Sequence, residues 1–381
     1  MMRGVLTLLA VVPWAWSVVV AELDRRQRVS LDDVEPAHDG PLVSVVVPAR
    51  DEGRGVRAAI ASLAAQEYGP LEVIVVDDES TDATAAEARA AATHRVRVLE
   101  GKPVPPGWVG KSWACHQGYE LAQGEWLLFT DADVRHAPDT VGRALALAQR
   151  GRVGGVSVLP LLETVGVVEQ AIQPAAAVLI RSFVAPGPLV RSPRSPVAIA
   201  AGGFILVSRE AYEGVGGHEA MRHELVDDQM LAVRLKAAGT PLALAGSAGR
   251  VRVRMYVGAR ETLRGWRKNT SAGLGSSVVV AAILACAGVA TALAPAVAIV
   301  RGPRRAGALG LVLQLAARAA SDELCPTPRR AWALFPAGTL GLSILSLLSS
   351  VDRLRDGIVW RGRRYEPSRR GREYARTASV V

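Results

Sequence analysis

The stretch "LEVIVVDDES", residues 71–80, decides the fold. A short run of β-branched apolar residues with no helical spacing is a strand covered on both faces, as in a parallel sheet. It closes on two carboxylates, Asp77 and Asp78. The same pattern recurs on either side. Upstream lie "LVSVVVPAR" (42–50), a short β-rich run, and "GVRAAIASLAAQ" (55–66), with helical spacing. Downstream come "TDATAAEARAAA" (81–92), helical with Ser80 or Thr81 as N-cap, then the strand "RVRVLE" (95–100) and the helix "KSWACHQGYELAQ" (111–123). "EWLLFTDAD" (125–133) reads as a strand, "PDTVGRALALAQR" (138–150) as a helix and "VGGVSVLP" (153–160) as a strand. Apolar strands alternating with helices give an α/β fold: a doubly wound, mostly parallel sheet with helices on both faces. Ligands of such sheets bind beyond the carboxyl ends of the strands. Three strands end there in acids or polar loops: residues 48–52, 77–80 and 131–133.

The chain has 381 residues, a net charge of +9, an apolar fraction of 50% and a mean hydropathy of +0.20. The last value directs attention to membrane spans. Residues 4–23 carry no charge before Glu22, are long enough for a bilayer core, and are followed by Arg25, Arg26 and Arg28. A cleaved signal peptide competes with an anchor here. The length, the two tryptophans (Trp14 and Trp16) and the lack of a small-residue cleavage site favour the anchor. The positive-inside rule then puts the following domain in the cytoplasm, at the plasma membrane. Apolar runs return at 274–300, 306–320 and 331–350, the middle one shorter and containing Arg318. The expected organisation is an anchor at 1–24, a linker at 25–41, a catalytic domain at 42–273, two or three membrane helices within 274–350 and a basic tail at 351–381. That tail suits an anionic membrane surface. One anchor and three further spans would put it outside, so either one run does not cross or the tail breaks the charge rule. Nucleic acid is not an expected partner, because the basic charge lies at membrane flanks and in the tail. Cys115, Cys286 and Cys325 are too scattered for a zinc site or a disulfide framework.

The candidate chemistry lies in the acids and a few cations. Asp131 and Asp133, one residue apart in "LLFTDADVRHAP" (127–138), are either an Asx turn capping the helix after Pro138 or oxygen ligands for Mg²⁺ or Mn²⁺. Asp77 and Asp78 either cap a turn or accept hydrogen bonds from a nucleoside. The loop of Pro48, Ala49, Arg50, Asp51 and Glu52 would hold its other side. Lys111 stands at a helix start, where a cation opposes the dipole unless an anionic ligand is near. Asp227 and Asp228 open an amphipathic helix, as caps or as a general base. Arg267 and Lys268, just before the first C-terminal span, either follow the inside-positive rule or neutralise a leaving diphosphate. His218 and His223 lie near the acids, and each is more readily structural than metal-binding.

Taken in order, "VVVPARDEG", "VIVVDDESTD", "GKSWACHQG", "FTDADVRHAP", "AGGFILVSREAYEGVGG" and "LVDDQMLAVRLKAAG", followed by a basic segment and membrane helices, resemble the family 2 glycosyltransferases. The resemblance spans residues 43–273. "PPGWVGKSWACHQG" and "VWRGRRY" resemble the membrane enzymes associated with hopanoid and carotenoid pathways. The resemblance implies a GT-A fold and inverting transfer from a nucleotide-diphospho-sugar, most simply a UDP-sugar, to a hydroxyl or carboxyl of a membrane lipid. It implies that Asp77 or Asp78 and the 48–52 loop hold the nucleoside, that Asp131 and Asp133 hold Mg²⁺ or Mn²⁺ on the diphosphate, and that Asp228 is the base. The family's Glu-Asp pair reads Asp-Asp here. "GWRKNTSAG" replaces the Gln-x-x-Arg-Trp motif of processive members, which argues against a polysaccharide synthase. The competing expectations are a nucleotide-sugar-binding membrane protein without transfer, a polyprenyl-phosphate glycosyltransferase, and a nucleotidyltransferase. The last is disfavoured because "VPARDEGRG" lacks a glycine-rich phosphate loop.

Overall fold

The computed structural model describes residues 2–273, 278–355, 358–360 and 363–365. The chain forms two compact units: Arg28–Leu161 with Leu189–Arg254, and Met1–Gln27 with Leu162–Pro188 and Met255–Val381. The basic tail expected at the membrane surface lies largely outside the described residues.

The first unit is built on an eight-stranded sheet. In spatial order its strands are Val29–Ser30, Leu242–Gly246, Gly155–Leu159, Ile205–Ser208, Trp126–Phe129, Val43–Ala49, Leu71–Asp77 and Val96–Glu100. The central strands are apolar on both faces because helices cover both: Val45, Val46, Val47, Val73, Ile74 and Val75 are wholly buried. All neighbours run parallel except at Ile205–Ser208, which is antiparallel to both Trp126–Phe129 and Gly155–Leu159. That reversal matters for the site. The strand begins where its neighbours end, so the residues just before it, Gly202 and Gly203, reach the carboxyl edge of the sheet.

The helices Val56–Ala64, Gly110–Leu121 and Thr140–Gly151 fall where their periodicity predicts them. Helix Gly110–Leu121 lies so close to the sheet that a Cβ on Gly118 would stand 2.4 Å from Val46 Cγ1. The expected N-cap at Ser80 or Thr81 is not formed. The next helix starts later, at Thr84–Ala90 with Ala83 as N-cap. The two polar residues instead fasten the neighbouring loop: the Ser80 hydroxyl accepts from Asp51 N (3.0 Å), and Thr81 N donates to Asp51 Oδ1 (2.8 Å).

The second unit is helical. Among the described residues, four helices are long and apolar enough to cross a membrane: Met2–Gln27, Val167–Val184, Val279–Arg301 and Arg329–Asp352. The run at 306–320 forms the shorter helix Arg304–Ala319 and is not among them; its Arg318 is buried and donates to Asp322 (2.9 Å) and to the carbonyl of Cys325 (3.1 Å). The segment 167–184 is a helix ending in one π-helical turn, Ile180–Val184. It packs tightly on Phe335–Arg355, where a Cβ on Gly338 would fall 2.0 Å from the carbonyl of Ala171. Ser343, Ser346 and Ser350 return their hydroxyls to carbonyls four residues back, which satisfies them without water. The helix Gly258–Gly273 carries Arg267, which forms a two-toothed pair with Asp352 (2.5 and 2.6 Å).

Candidate active site

The chemistry-bearing residues of the first unit meet at the carboxyl edge of the sheet. A small cavity is lined by Pro48, Lys111, Thr130, Asp131, Gly202 and Asp228, among others. Each comes from the end of an element. Pro48 sits near the end of the first long strand. Asp131 follows the strand Trp126–Phe129, Lys111 lies in the first turn of its helix, and Asp227 and Asp228 open the helix Asp227–Ala237.

Lys111 is the hub. Its Nζ lies 2.8 Å from Asp131 Oδ1 and 3.7 Å from Asp227 Oδ1. Burial would lower the Lys111 ammonium, but the charges of Asp131, Asp227 and Asp228 outweigh it and hold the group well above the usual lysine range. Thus the cation expected to meet an external anion sits within three carboxylates of its own chain.

Asp227 and Asp228 are neighbours with opposite fates. Asp228 Oδ2 accepts from Gly202 N (2.9 Å), and Oδ1 accepts from Gln229 N (2.8 Å). Burial first, then the charge of Asp227, push its pKa up to about 6 despite those two amides. Burial acts on Asp227 too, but Lys111 and His218 outweigh it and hold that carboxyl well below the ordinary range. One acid is therefore fixed as an anion and the other is poised to exchange a proton near neutrality, a division of labour suited to general-base chemistry.

The pair at 131 and 133 does not continue the strand, which ends at Phe129. The two acids lie in the turn leading to the short strand Val134–His136, so strand alternation does not set their directions. Nor do they cap the following helix, whose N-cap residue is Asp139. Asp131 joins the Lys111 cluster; the backbone of Asp133 lies against Gly55, where a Cβ would be 3.5 Å from Asp133 Cα.

Asp77 and Asp78 are buried at the neighbouring strand end. Asp77 Oδ1 has no hydrogen-bond partner, a costly state for a buried oxygen and one that a ligand donor would relieve. Arg50 Nη1 donates to the carbonyl of Asp78 (2.5 Å) and lies 3.9 Å from its carboxylate. Glu52 N donates to the hydroxyl of Thr84 (2.7 Å). Asp51 and Glu79 both adopt left-handed φ, at 51° and 54°. The loop of residues 48–52, Ala49 included, and the loop after Asp77 are thus stitched together at the sheet edge. Arg267 and Lys268 belong to the helical unit.

Sequence reasoning passed over Gly202 and Tyr212, weighed Cys115 only against a zinc site or a disulfide, and weighed His218 as more readily structural than metal-binding. Gly202 is required by space: a Cβ there would stand 2.9 Å from Asp228 Oδ2, 3.3 Å from Lys111 Nζ and 3.4 Å from Asp131 Oδ2. The glycine pair opening "AGGFILVS" was the available signal. It could be read only with the antiparallel strand in hand.

Residues 44–216 match the model of the family described as glycosyl transferase family 2. Among curated proteins, the chain is similar to the 4,4'-diaponeurosporenoate glycosyltransferases of Staphylococcus aureus strains MRSA252 and NCTC 8325 / PS 47, at 29% identity in each case. The alignments cover 62% of this chain and 62% of each relative, so the chain spans less than two thirds of the length of the curated relatives it matches. Among solved structures, the mannosyltransferase PcManGT from Pyrobaculum calidifontis, in complex with GDP-Man and Mn²⁺, matches with a TM-score of 0.59 and 20% identity. That match covers 93% of this chain and 99% of the other. At this identity the likeness is one of fold.

Proposed function

From the family 2 glycosyltransferase domain that this chain carries on a GT-A-type fold, we propose a membrane-bound, inverting, metal-dependent glycosyltransferase. It moves a sugar from a nucleotide-diphospho-sugar to a hydroxyl or carboxyl of a membrane lipid, with a UDP-sugar as the expected donor. The observation that carries the reading is the convergence of Asp131, Lys111, Asp227 and Asp228 on one cavity at the carboxyl edge of the sheet.

The donor's nucleoside is assigned to the stitched loops, with the unpartnered Asp77 oxygen as one acceptor for it. Asp131 and Asp133 are assigned to a divalent cation. The donor set fits, because carboxylate oxygens suit Mg²⁺ or Mn²⁺, and the open side of Gly202 faces Asp131 Oδ2. Such a cation stabilises the charge that grows on a departing diphosphate. Lys111 adds positive charge in the same cavity, and its present partner Asp131 is the acid assigned to the metal.

A carboxylic acid acceptor is already ionised near pH 7 and attacks without a base, whereas a hydroxyl acceptor must give up its proton, and that proton goes to Asp228. Its two backbone donors aim the carboxylate, and its raised pKa suits it to that task near pH 7. Attack from the face opposite the diphosphate inverts the anomeric centre. The acceptor assignment draws on the carotenoid-acid name of the bacterial relatives and on the four long apolar helices. A terpenoid lipid carboxylic acid or alcohol is the class proposed. The protein is placed as a multi-pass component of the plasma membrane, with the catalytic unit on the cytoplasmic side and an anionic bilayer surface beside it.

The test is an assay of membranes bearing the full chain with radiolabelled UDP-glucose, UDP-galactose and GDP-mannose, followed by mass spectrometry of the extracted lipids. A donor-dependent glycolipid, absent from membranes lacking the chain, is expected. Label found only as free sugar with every donor would contradict the reading.

A further inference from the structure

Tyr212 and His218 are both buried beneath the carboxylate pair, and the reaction outlined above does not use either. Their hydrogen bonds can be counted. The Tyr212 oxygen lies 2.9 Å from His218 N, which has a hydrogen to give, so the phenol accepts that bond. It also lies 2.7 Å from His218 Nδ1. A phenol has one hydrogen, and Nδ1 is the partner placed to take it. Nδ1 is therefore the acceptor, and the neutral ring carries its proton on Nε2. Nε2 faces Asp227 Oδ2 at 3.6 Å, longer than a hydrogen bond, so in the neutral ring its N–H acts as a dipole aimed at the carboxylate; such contacts often tighten when substrate closes a site.

We propose that Tyr212 and His218 are positioning residues that fix Asp227 as an aimed anion, so that Asp228 alone of the two carboxylates takes the acceptor's proton. Asp227 is then held from two sides, by the imidazole N–H at Oδ2 and by Lys111 at Oδ1. The other groups facing it are Asp228, Asp131 beyond Lys111, and the buried thiol of Cys115, which burial pushes far above the usual range and so keeps neutral. Cys115, His218 and Asp227 have potential ligand atoms within 4.8 Å of one another, a spacing a metal would accept. The proton count argues against that use. Nε2 carries a hydrogen in place of a lone pair, and the Lys111 ammonium already neutralises Asp227.

The inference rests on Asp228 being the base. It is tested on the detergent-solubilised full chain in two ways. In protein carrying ¹⁵N-labelled histidine, the His218 signal, assigned by its loss in His218→Gln, is expected to report the Nε2–H tautomer. In transfer assays with the labelled donor the parent uses, His218→Gln keeps an N–H toward Asp227 and His218→Met does not. The Gln variant should stay within about threefold of the parent. The Met variant should lose about tenfold in kcat, with an unchanged KM for the donor. Its acid limb should move to higher pH, because the one proton of the pair is then shared with Asp227. If His218→Met fails to fold, Tyr212→Phe, which removes the proton given to Nδ1, is expected to shift the limb the same way. An Nδ1–H tautomer, or equal kcat and acid limbs in the Gln and Met variants (or in Tyr212→Phe and parent), overturns the proposal. If the parent itself makes no labelled lipid, the functional reading fails instead, and the tautomer still decides the geometry.

Discussion

At the scale of single residues, the account turns on Gly202 and Asp228. The Gly202 amide holds Asp228 Oδ2 at 2.9 Å, and a Cβ would enter the space shared by Asp228, Lys111 and Asp131. Gly202→Ala is therefore expected to cost more than tenfold in kcat while changing the melting temperature little, since the clash is with side chains at an open site. An alanine variant with parental kcat would show that the cavity needs no such clearance. As the proposed base, Asp228 must be ionised to act, so transfer should rise with pH through a limb near 6 and plateau above it. A limb near the ordinary aspartate value would mean that burial and Asp227 do not tune it. The pair of adjacent acids was legible in the sequence, and so was Lys111 at a helix start. The division between Asp227 and Asp228 was not, because it depends on burial and on Lys111 and His218, which meet the pair only through folding.

At the scale of elements, the sheet was legible because its strands are unmixed. Runs such as "VSVVVPA" and "LEVIVVD" can be buried on both faces only between helices, and the parallel order follows. The antiparallel strand Ile205–Ser208 was not legible, since four apolar residues carry no direction. The N-cap at Ser80 or Thr81 failed for a related reason: a hydroxyl before a helical run fits a cap, but a neighbouring loop with unpaired groups competes for it. Packing at this scale gives a separate prediction. Gly118→Ala forces a Cβ to within 2.4 Å of Val46 Cγ1 on a central strand and should destabilise the first unit by about 1–3 kcal/mol. An unchanged unfolding midpoint would contradict the close approach of that helix.

At the scale of the whole molecule, composition announced apolar segments of spanning length, and the structure shows which of the described ones form single long helices. The helix Val167–Val184 interrupts the catalytic sequence, carries buried Glu169, Gln173 and Arg181, and so reads as less apolar than it is long. With four helices of sufficient length among the described residues, the full chain should remain in the membrane pellet through an alkaline carbonate wash; release into the supernatant would contradict spanning. Chelation belongs to this scale as well, because it tests the assembled reaction. Excess EDTA should abolish transfer and Mn²⁺ or Mg²⁺ should restore it, whereas activity persisting in chelator would return Asp131 and Asp133 to the role of a turn. The most direct measurement compares parent and Asp228→Asn membranes for label passed from nucleotide sugar to extractable lipid, with donor binding measured in parallel. Retained donor binding with transfer lowered by about a hundredfold or more is the predicted result. Equal labelling of lipid by the two proteins would contradict the assignment of Asp228 as the base.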